Sequence, residues 1–269
     1  MNLSPKTPKD IDDDLTLDDF LGGGLKLWQP KGGYRIGVDT ILLAASVPAK
    51  EGDKILEAGT GSGGAALALA QRVSGVSVTG LELQFEMASI ARKNILENKL
   101  ENSVDIIEGD ITSPPSELVE NSFDHVMVNP PYLEPGSAIS PPSITKSLAH
   151  MNSSAELKDW VMFCLSMAKN KGTLSFVFRA DRLHDLMALL HRRVGDLIIC
   201  PLWPREGVVA KRILVQGKKG LRGVTTMAPG IALHGEIERY TREAEAILRL
   251  GQKIDMEGAR SGAPLVTKS

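Results

Sequence analysis

At 269 residues and 29.0 kDa the chain is long enough to bury a full core, as one large domain or as one domain with a modest appendage. Hydrophobic residues make up 42% and charged residues 24%, which excludes a disordered chain, and no apolar run reaches the length of a membrane span. Net charge is -2 but unevenly spread: residues 1–20 carry -4, while residues 169–222 carry twelve bases against four acids, or +8.

The first twenty residues hold six aspartates where a secretory signal would be basic and then apolar. The expectation is a soluble, cytoplasmic protein with no membrane partner. Cys164 and Cys200 lie far apart in apolar contexts, without a Cys-x-x-Cys or a neighbouring His, so they read as core and no metal is expected. The basic stretch 169–222 suits a polyanion; it equally suits solvated positions scattered over helices and hairpin ends.

In chain order, residues 1–23 read as an acidic, unordered N-terminus. Leu25 to Trp28, the turn Pro30-Lys31-Gly32-Gly33 and Tyr34 to Val38 read as a hairpin. Asp39 or Thr40 is placed to cap a helix over Ile41–Ser46 that Pro48 ends. Strands and helices then alternate: strand Lys54–Ala58, glycine loop 59–64, helix Ala65–Val73, strand Val76–Leu81, helix Phe85–Asn98, strand Val104–Ile107, strand Phe123–Val128. That alternation predicts an α/β fold, a parallel sheet covered on both faces. A Pro-rich connection follows over 133–147, either a lid or a substrate loop. A helix then opens at Ser153 or Ser154, strand Thr173–Phe178 follows, and Asp181 caps a helix running to about Val194. Leu197–Trp203 and Ile213–Gln216 finish the sheet around a hairpin loop at 204–207. Residues 24–222 form the main domain. Residues 223–269 form an extension with one amphipathic helix, whose face carries Ile237, Tyr240, Ala244, Ile247 and Leu248, and a loose tail from Gln252.

Two signals carry chemistry. The first is Gly59-Thr60-Gly61-Ser62-Gly63-Gly64 between a strand and a helix, where missing side chains let backbone approach a ligand. Glu57, just before it, favours a cationic amino-acid moiety over a phosphate. Glu82, at the next strand end, can accept from two ribose hydroxyls, and Asp110, at the third, from an adenine amine. Taken singly, Glu82 or Asp110 reads more readily as a helix cap or a solvated loop acid than as a ligand group. Together these residues mark one sheet edge as the ligand edge.

The second signal is Asn129-Pro130-Pro131-Tyr132, at the end of the fourth strand of this alternation. Asn and Pro make ordinary strand-to-loop turns. Here, however, the Asn129 amide oxygen and the Pro130 carbonyl also offer two acceptors for the hydrogens of a planar amine, and Tyr132 offers a ring to stack on it.

With these motifs in this order, residues from about Tyr34 to Gln216 resemble the class I S-adenosylmethionine-dependent methyltransferases, in particular the NPPY amino-methyltransferases. The block Tyr34 to Thr40, Glu57 to Gly63 and Asn129 to Tyr132 is most similar to the bacterial tRNA(Val) adenine-N6 methyltransferase family. The resemblance implies a Rossmann-like, mostly parallel seven-stranded sheet with an antiparallel last strand. It implies S-adenosyl-L-methionine on Glu57, Gly59, Gly61, Gly63, Glu82, Asp110 and Asn129, and Asn129, Pro130 and Tyr132 at the transfer site. It further implies Tyr34 and Arg35 at the substrate mouth and tRNA as partner. Tyr34 and Arg35 equally suit packing over the glycine loop. Gln84 stands where an Asp commonly follows the ribose-binding acid, and Glu57 stands where the family often has Asp. Methylation of a protein glutamine and a silent cofactor-binding module are the rival readings. A dehydrogenase is weaker still, since no His is placed as a hydride-transfer acid.

Overall fold

A computed structural model of the protein describes residues 14–32, 35–131 and 155–266. Strands β1 (Leu15–Phe20) and β2 (Leu25–Pro30) form an antiparallel pair, and helix α1 (Val38–Ser46) leads into the main sheet. That sheet takes β3 (Lys54–Ala58), β4 (Ser77–Glu82), β5 (Val104–Glu108), β6 (Phe123–Val128), β7 (Ala168–Arg179), β8 (Val194–Trp203) and β9 (Arg212–Lys219). Helices α2 (Gly64–Arg72), α3 (Phe85–Glu97), α4 (Leu157–Met167) and α5 (Leu183–Leu190) connect them. Strand order is β5-β4-β3-β6-β7-β9-β8, and β9 alone runs antiparallel to its two neighbours. Two short strands, β10 (Thr226–Met227) and β11 (Ile231–Ala232), add in parallel beside β8, so the sheet has nine strands and not seven.

The near-continuous apolar runs of the inner strands follow from burial on both faces. One face packs Ile55, Met127 and Val177 with α1, α2 and α3; the other packs Leu56, Ala58, Val128 and Phe176 with α4 and α5. Both cysteines are buried and unbridged. Among the described residues no helix is long and apolar enough to cross a membrane. The chain winds outward from β3 in one direction through β4 and β5, and from β6 in the other. The switch point therefore lies between β3 and β6, whose ends pair Ala58 with Val128.

The N-terminal hairpin differs from the sequence reading: Leu15–Phe20, not Tyr34–Val38, pairs with Leu25–Pro30. Acidic residues obscured β1, which buries Leu15, leaves Thr16, Asp18 and Phe20 half-buried and exposes Leu17 and Asp19. The free edge of β2 is closed by a helix. Asn94 Oδ1 accepts from Trp28 N and its Nδ2 donates to Trp28 O, while Asn98 does the same for Lys26. Residues four apart on a helix rise about 6 Å and residues two apart on a strand about 6.8 Å. Two amides on one helix face can therefore satisfy alternate residues of a strand.

Two further corrections concern helices and the tail. Helix α1 begins at Val38 after Gly37, so Asp39 lies in its first turn and pairs with Arg212 (3.0 Å) instead of capping. Helix α6 (Arg242–Leu248) is capped by Thr241 and buries Ala244 and Ile247, whereas Ile237 lies outside it, 98% exposed. The tail from Gln252 is not loose. Ile254 N donates to Ala45 O at 2.8 Å, and Ile254, Met256, Leu265 and Val266 are buried in the core beside α1. Ile254→Ala should lower the unfolding free energy by about 2–5 kcal/mol in urea titration; a change within about 0.5 kcal/mol, normal for surface positions, would restore the loose tail.

Candidate active site

The carboxyl ends of β5, β4, β3 and β6 bring Asp110, Glu82, the glycine loop and Asn129 to one edge in that order. Neighbouring strands lie about 4.8 Å apart, so Asn129, one residue past Val128, stands beside Gly59, one residue past Ala58. Asn129 is half-buried, Pro130 buried and Pro131 exposed. Tyr34 and Tyr132 lie outside the described residues, as do 133–147, Ser153 and Ser154.

The loop is fastened by two buried carboxylates. Glu57 Oε2 accepts from Thr60 Oγ1 at 2.7 Å and from Ala66 N at 2.8 Å, thereby holding a first-turn amide of α2 that the sequence leaves without a side-chain cap. Glu82 Oε2 accepts from Gly61 N at 2.8 Å and its Oε1 from Gln84 N at 2.9 Å. Gly59 and Thr60 both donate to Leu81 O, so the loop is pinned to the end of β4 as well.

Gly59, Gly61 and Gly63 are left-handed, with φ of 69, 58 and 87°, a conformation that disfavours L side chains. A Cβ on Gly59 would stand 2.8 Å from Trp160 Cη2, whereas one on Gly61 would meet only Met87 Cε at 3.8 Å. Gly59 thus admits Trp160 beneath the loop, and Gly61 leaves backbone open. Gly64 does the same for Ile36, whose Cδ1 would lie 2.8 Å from an added Cβ. Ile36 is itself seated by its amide donating to Gln29 Oε1.

Arg35 donates to Thr16 Oγ1, Pro30 O and Asp18 Oδ2 of the hairpin, contacts that suit its packing role. Asp110 is half-buried, its Oδ1 accepting from Thr112 N at 2.8 Å and its own turn closing on Ser113. His125, at the opposite end of β6, is paired with Asp53 at 2.9 Å.

Three contributors escaped the sequence reading. Leu83, 39% exposed at the end of β4, presents apolar surface next to Glu82; an apolar residue at a ligand-edge strand end was the available signal. Trp160 and Asn94 carried none. Asn94 is fully buried and its Nδ2 also donates to Ser62 O, tying the glycine loop to β2.

Burial pushes the Glu57 carboxyl up to about 8, against hydrogen bonds from Thr60 and Ala66 that lower it and the Glu82 charge that raises it further; burial also raises Glu82. The edge therefore concentrates acidic groups held against their preference for water, a setting that a cationic ligand relieves. Left-handed glycines, an open loop backbone, a buried ribose-type acceptor and an apolar shelf at Leu83 fit an adenosyl ligand with a charged amino-acid arm.

Residues 55–153 match the family model for a methyltransferase domain. The chain is 28% identical over 193 residues to a tRNA1(Val) (adenine(37)-N6)-methyltransferase of Aeromonas salmonicida, covering 70% of this chain and 78% of the relative. It is 28% identical over 213 residues to the enzyme of the same name from Actinobacillus succinogenes, covering 78% and 86%. A solved structure described as a predicted O-methyltransferase, Atu636 of Agrobacterium tumefaciens, superposes with TM-score 0.65 at 26% identity over 78% of this chain and 94% of that one. The tRNA (m1A58) methyltransferase TrmI of Aquifex aeolicus shares the fold, with TM-score 0.52 at 18% identity over 71% and 72%.

The Glu57 shift has a sign. Its folded pKa lies above the unfolded value of 4.5, so the stability it contributes is present below about pH 4.5 and is lost as pH rises through about pH 8. Glu57→Gln keeps an acceptor for Thr60 and Ala66 but cannot titrate. Urea unfolding at about pH 5 and about pH 8 should show a fall in wild-type stability that the variant lacks, and parallel pH profiles would refute the shift. Residues 55–153 are a methyltransferase domain on a mostly parallel sheet, and together with the relatives that the chain resembles they make the protein an S-adenosylmethionine-dependent methyltransferase.

Proposed function

We infer that the protein methylates the N6 amine of an adenine in tRNA. The observation that carries this reading is the placement of Asn129-Pro130, just past β6, beside the glycine loop, just past β3, where Ala58 pairs with Val128. Relatives of this chain bear the name of tRNA adenine-N6 methyltransferases.

Bound on this edge, S-adenosylmethionine supplies an electrophilic methyl group. Gly59, Gly61 and Gly63 would give its adenosyl part access to backbone, Glu82 and Leu83 would hold its ribose and base, Asp110 would accept from the adenine amine, and Glu57 would serve the amino-acid arm. The Asn129 amide oxygen and the Pro130 carbonyl hold the two hydrogens of the target amine. Held so, its nitrogen is aimed at the methyl carbon, and the positive charge that builds on it meets two acceptor dipoles. An exocyclic amine becomes acidic only once alkylated, so its proton leaves to water and no side-chain base is required. A hydroxyl substrate would need such a base, and the position after β6 carries an amide. This favours nitrogen over oxygen as the target. Tyr132 is assigned the stacking face for the target base. An adenine must leave its stack to reach this edge, which costs least in a single-stranded loop.

Asn129→Ala should slow methyl transfer on the order of 10²-fold or more while cofactor affinity is kept, since the lost acceptor acts on the transition state. The assay is transfer of labelled methyl from S-adenosylmethionine to total tRNA and to protein from a methylation-deficient host, with the product identified after digestion. N6-methyladenosine in tRNA, lost in the variant, supports the reading. Methylglutamine in protein, or an undiminished rate in the variant, overturns it.

A further inference from the structure

Beyond Asn129 the same sheet edge changes sign. β7 ends at Arg179, β9 begins at Arg212 paired with it, and β8 ends at Trp203, so the β8–β9 connection, Pro204 to Lys211, rises from the carboxyl edge. The basic stretch 169–222 is thereby split. Arg179, Arg182, Arg205, Lys211 and Arg212 stand at the edge that carries Asn129. Lys169, Lys171, Arg192, Arg193, Lys218, Lys219 and Arg222 stand at the opposite edge.

At the Asn129 edge three of the five bases are matched by acids: Arg179 with Asp181, Arg182 with Asp185 (2.9 Å) and Arg212 with Asp39 (3.0 Å). Arg205 and Lys211 are exposed, and neither side chain has an ion-pair or hydrogen-bond partner among the described residues. They flank a tight tip in which Val208 N donates to Arg205 O, Gly207 is left-handed, and Val208 and Val209 are exposed, Val209 at 81%. Glu206 is the one acid within the tip.

The base of the tip is braced. Leu233 N donates to Trp203 O and His234 N to Pro204 O, and this bracing loop carries the stacked His234–Tyr240 pair with Arg239 over the Tyr240 ring. It also carries Glu236 and Glu238. The unmatched positive charge at this edge therefore belongs to the tip.

We propose that the β8–β9 hairpin tip, through Arg205 and Lys211, grips the phosphodiester backbone of the RNA strand that delivers its nucleotide to Asn129. The proposal rests on the reading of RNA as substrate and adds where it is held. The acids Asp110 and Glu82 occupy the cofactor side of Asn129 and would repel phosphate there. Among the described residues, the direction along the edge in which a polyanion gains charge complementarity is toward β7, β9 and β8. Val208 and Val209 offer apolar contact to a sugar or an unstacked base beside the two cations.

The test uses full-length protein, total tRNA from a methylation-deficient host and a KCl series. Arg205→Gln/Lys211→Gln should raise KM for tRNA about tenfold at moderate salt and reduce the slope of log affinity against log salt by about 1–2, one unit per lost phosphate contact. Its kcat at saturating tRNA and its affinity for S-adenosylhomocysteine should match wild type. Lys171→Gln/Arg222→Gln, at the far edge, should leave KM and slope unchanged. An unchanged KM and slope in the tip variant of an enzyme that methylates tRNA overturns the tip alone, as does an equal loss in the far-edge variant. A wild-type enzyme that transfers no methyl to tRNA overturns instead the reading beneath it.

Discussion

The structure depends on how a strand-to-helix loop with left-handed residues is kept in one shape. Glycines alone would leave 59–64 free to take many conformations, and fixing each residue costs about 1–2 kcal/mol of entropy. Two buried carboxylates supply the constraint: Glu57 spans from Thr60 to the first turn of α2, and Glu82 crosses from β4 to Gly61 N. Asn94 adds a third tie through Ser62 O. The same acids that would meet a ligand therefore already shape its seat, and the ligand finds backbone that need not be reorganised.

The peripheral segments brace this seat from outside. The N-terminal hairpin is fastened to α3 by the Asn94 and Asn98 amides, and Arg35 and Gln29 hold Ile36 against the space that Gly64 leaves. The C-terminal segment extends the sheet with β10 and β11, then packs α6 on α1 and brings Ile254 to Ala45 O. Removal of one cofactor-edge element would thus be felt through α1 and α3, which share a single apolar cluster with the tail.

Much of this was legible in the sequence where signals are local. The alternation of apolar runs with helical patterns gave the parallel sheet, and the glycine loop, the acids at successive strand ends and Asn129-Pro130 were read onto the one edge where the fold gathers them. Illegible features depend on partners distant in sequence. β1 carries Asp18, which looks solvated until Gln29 Nε2 and the Arg35 guanidinium are found to donate to its carboxylate. Ile254 and Val266 look like an apolar remnant of a polar tail until α1 is seen to lack cover there. The split of the basic stretch between two edges follows from the antiparallel sense of β9, which composition cannot register.

The measurement that tests the account most directly is the affinity of S-adenosylhomocysteine for wild type and for Glu82→Ala, by isothermal titration, with thermal unfolding recorded alongside. Glu82 is assigned both the hold on Gly61 and the acceptors for the ribose, so the variant should bind at least about tenfold more weakly, the loss of one or two charge-assisted hydrogen bonds. Affinity equal to wild type in a folded variant would contradict the account, because the edge described here would then not be where the cofactor sits.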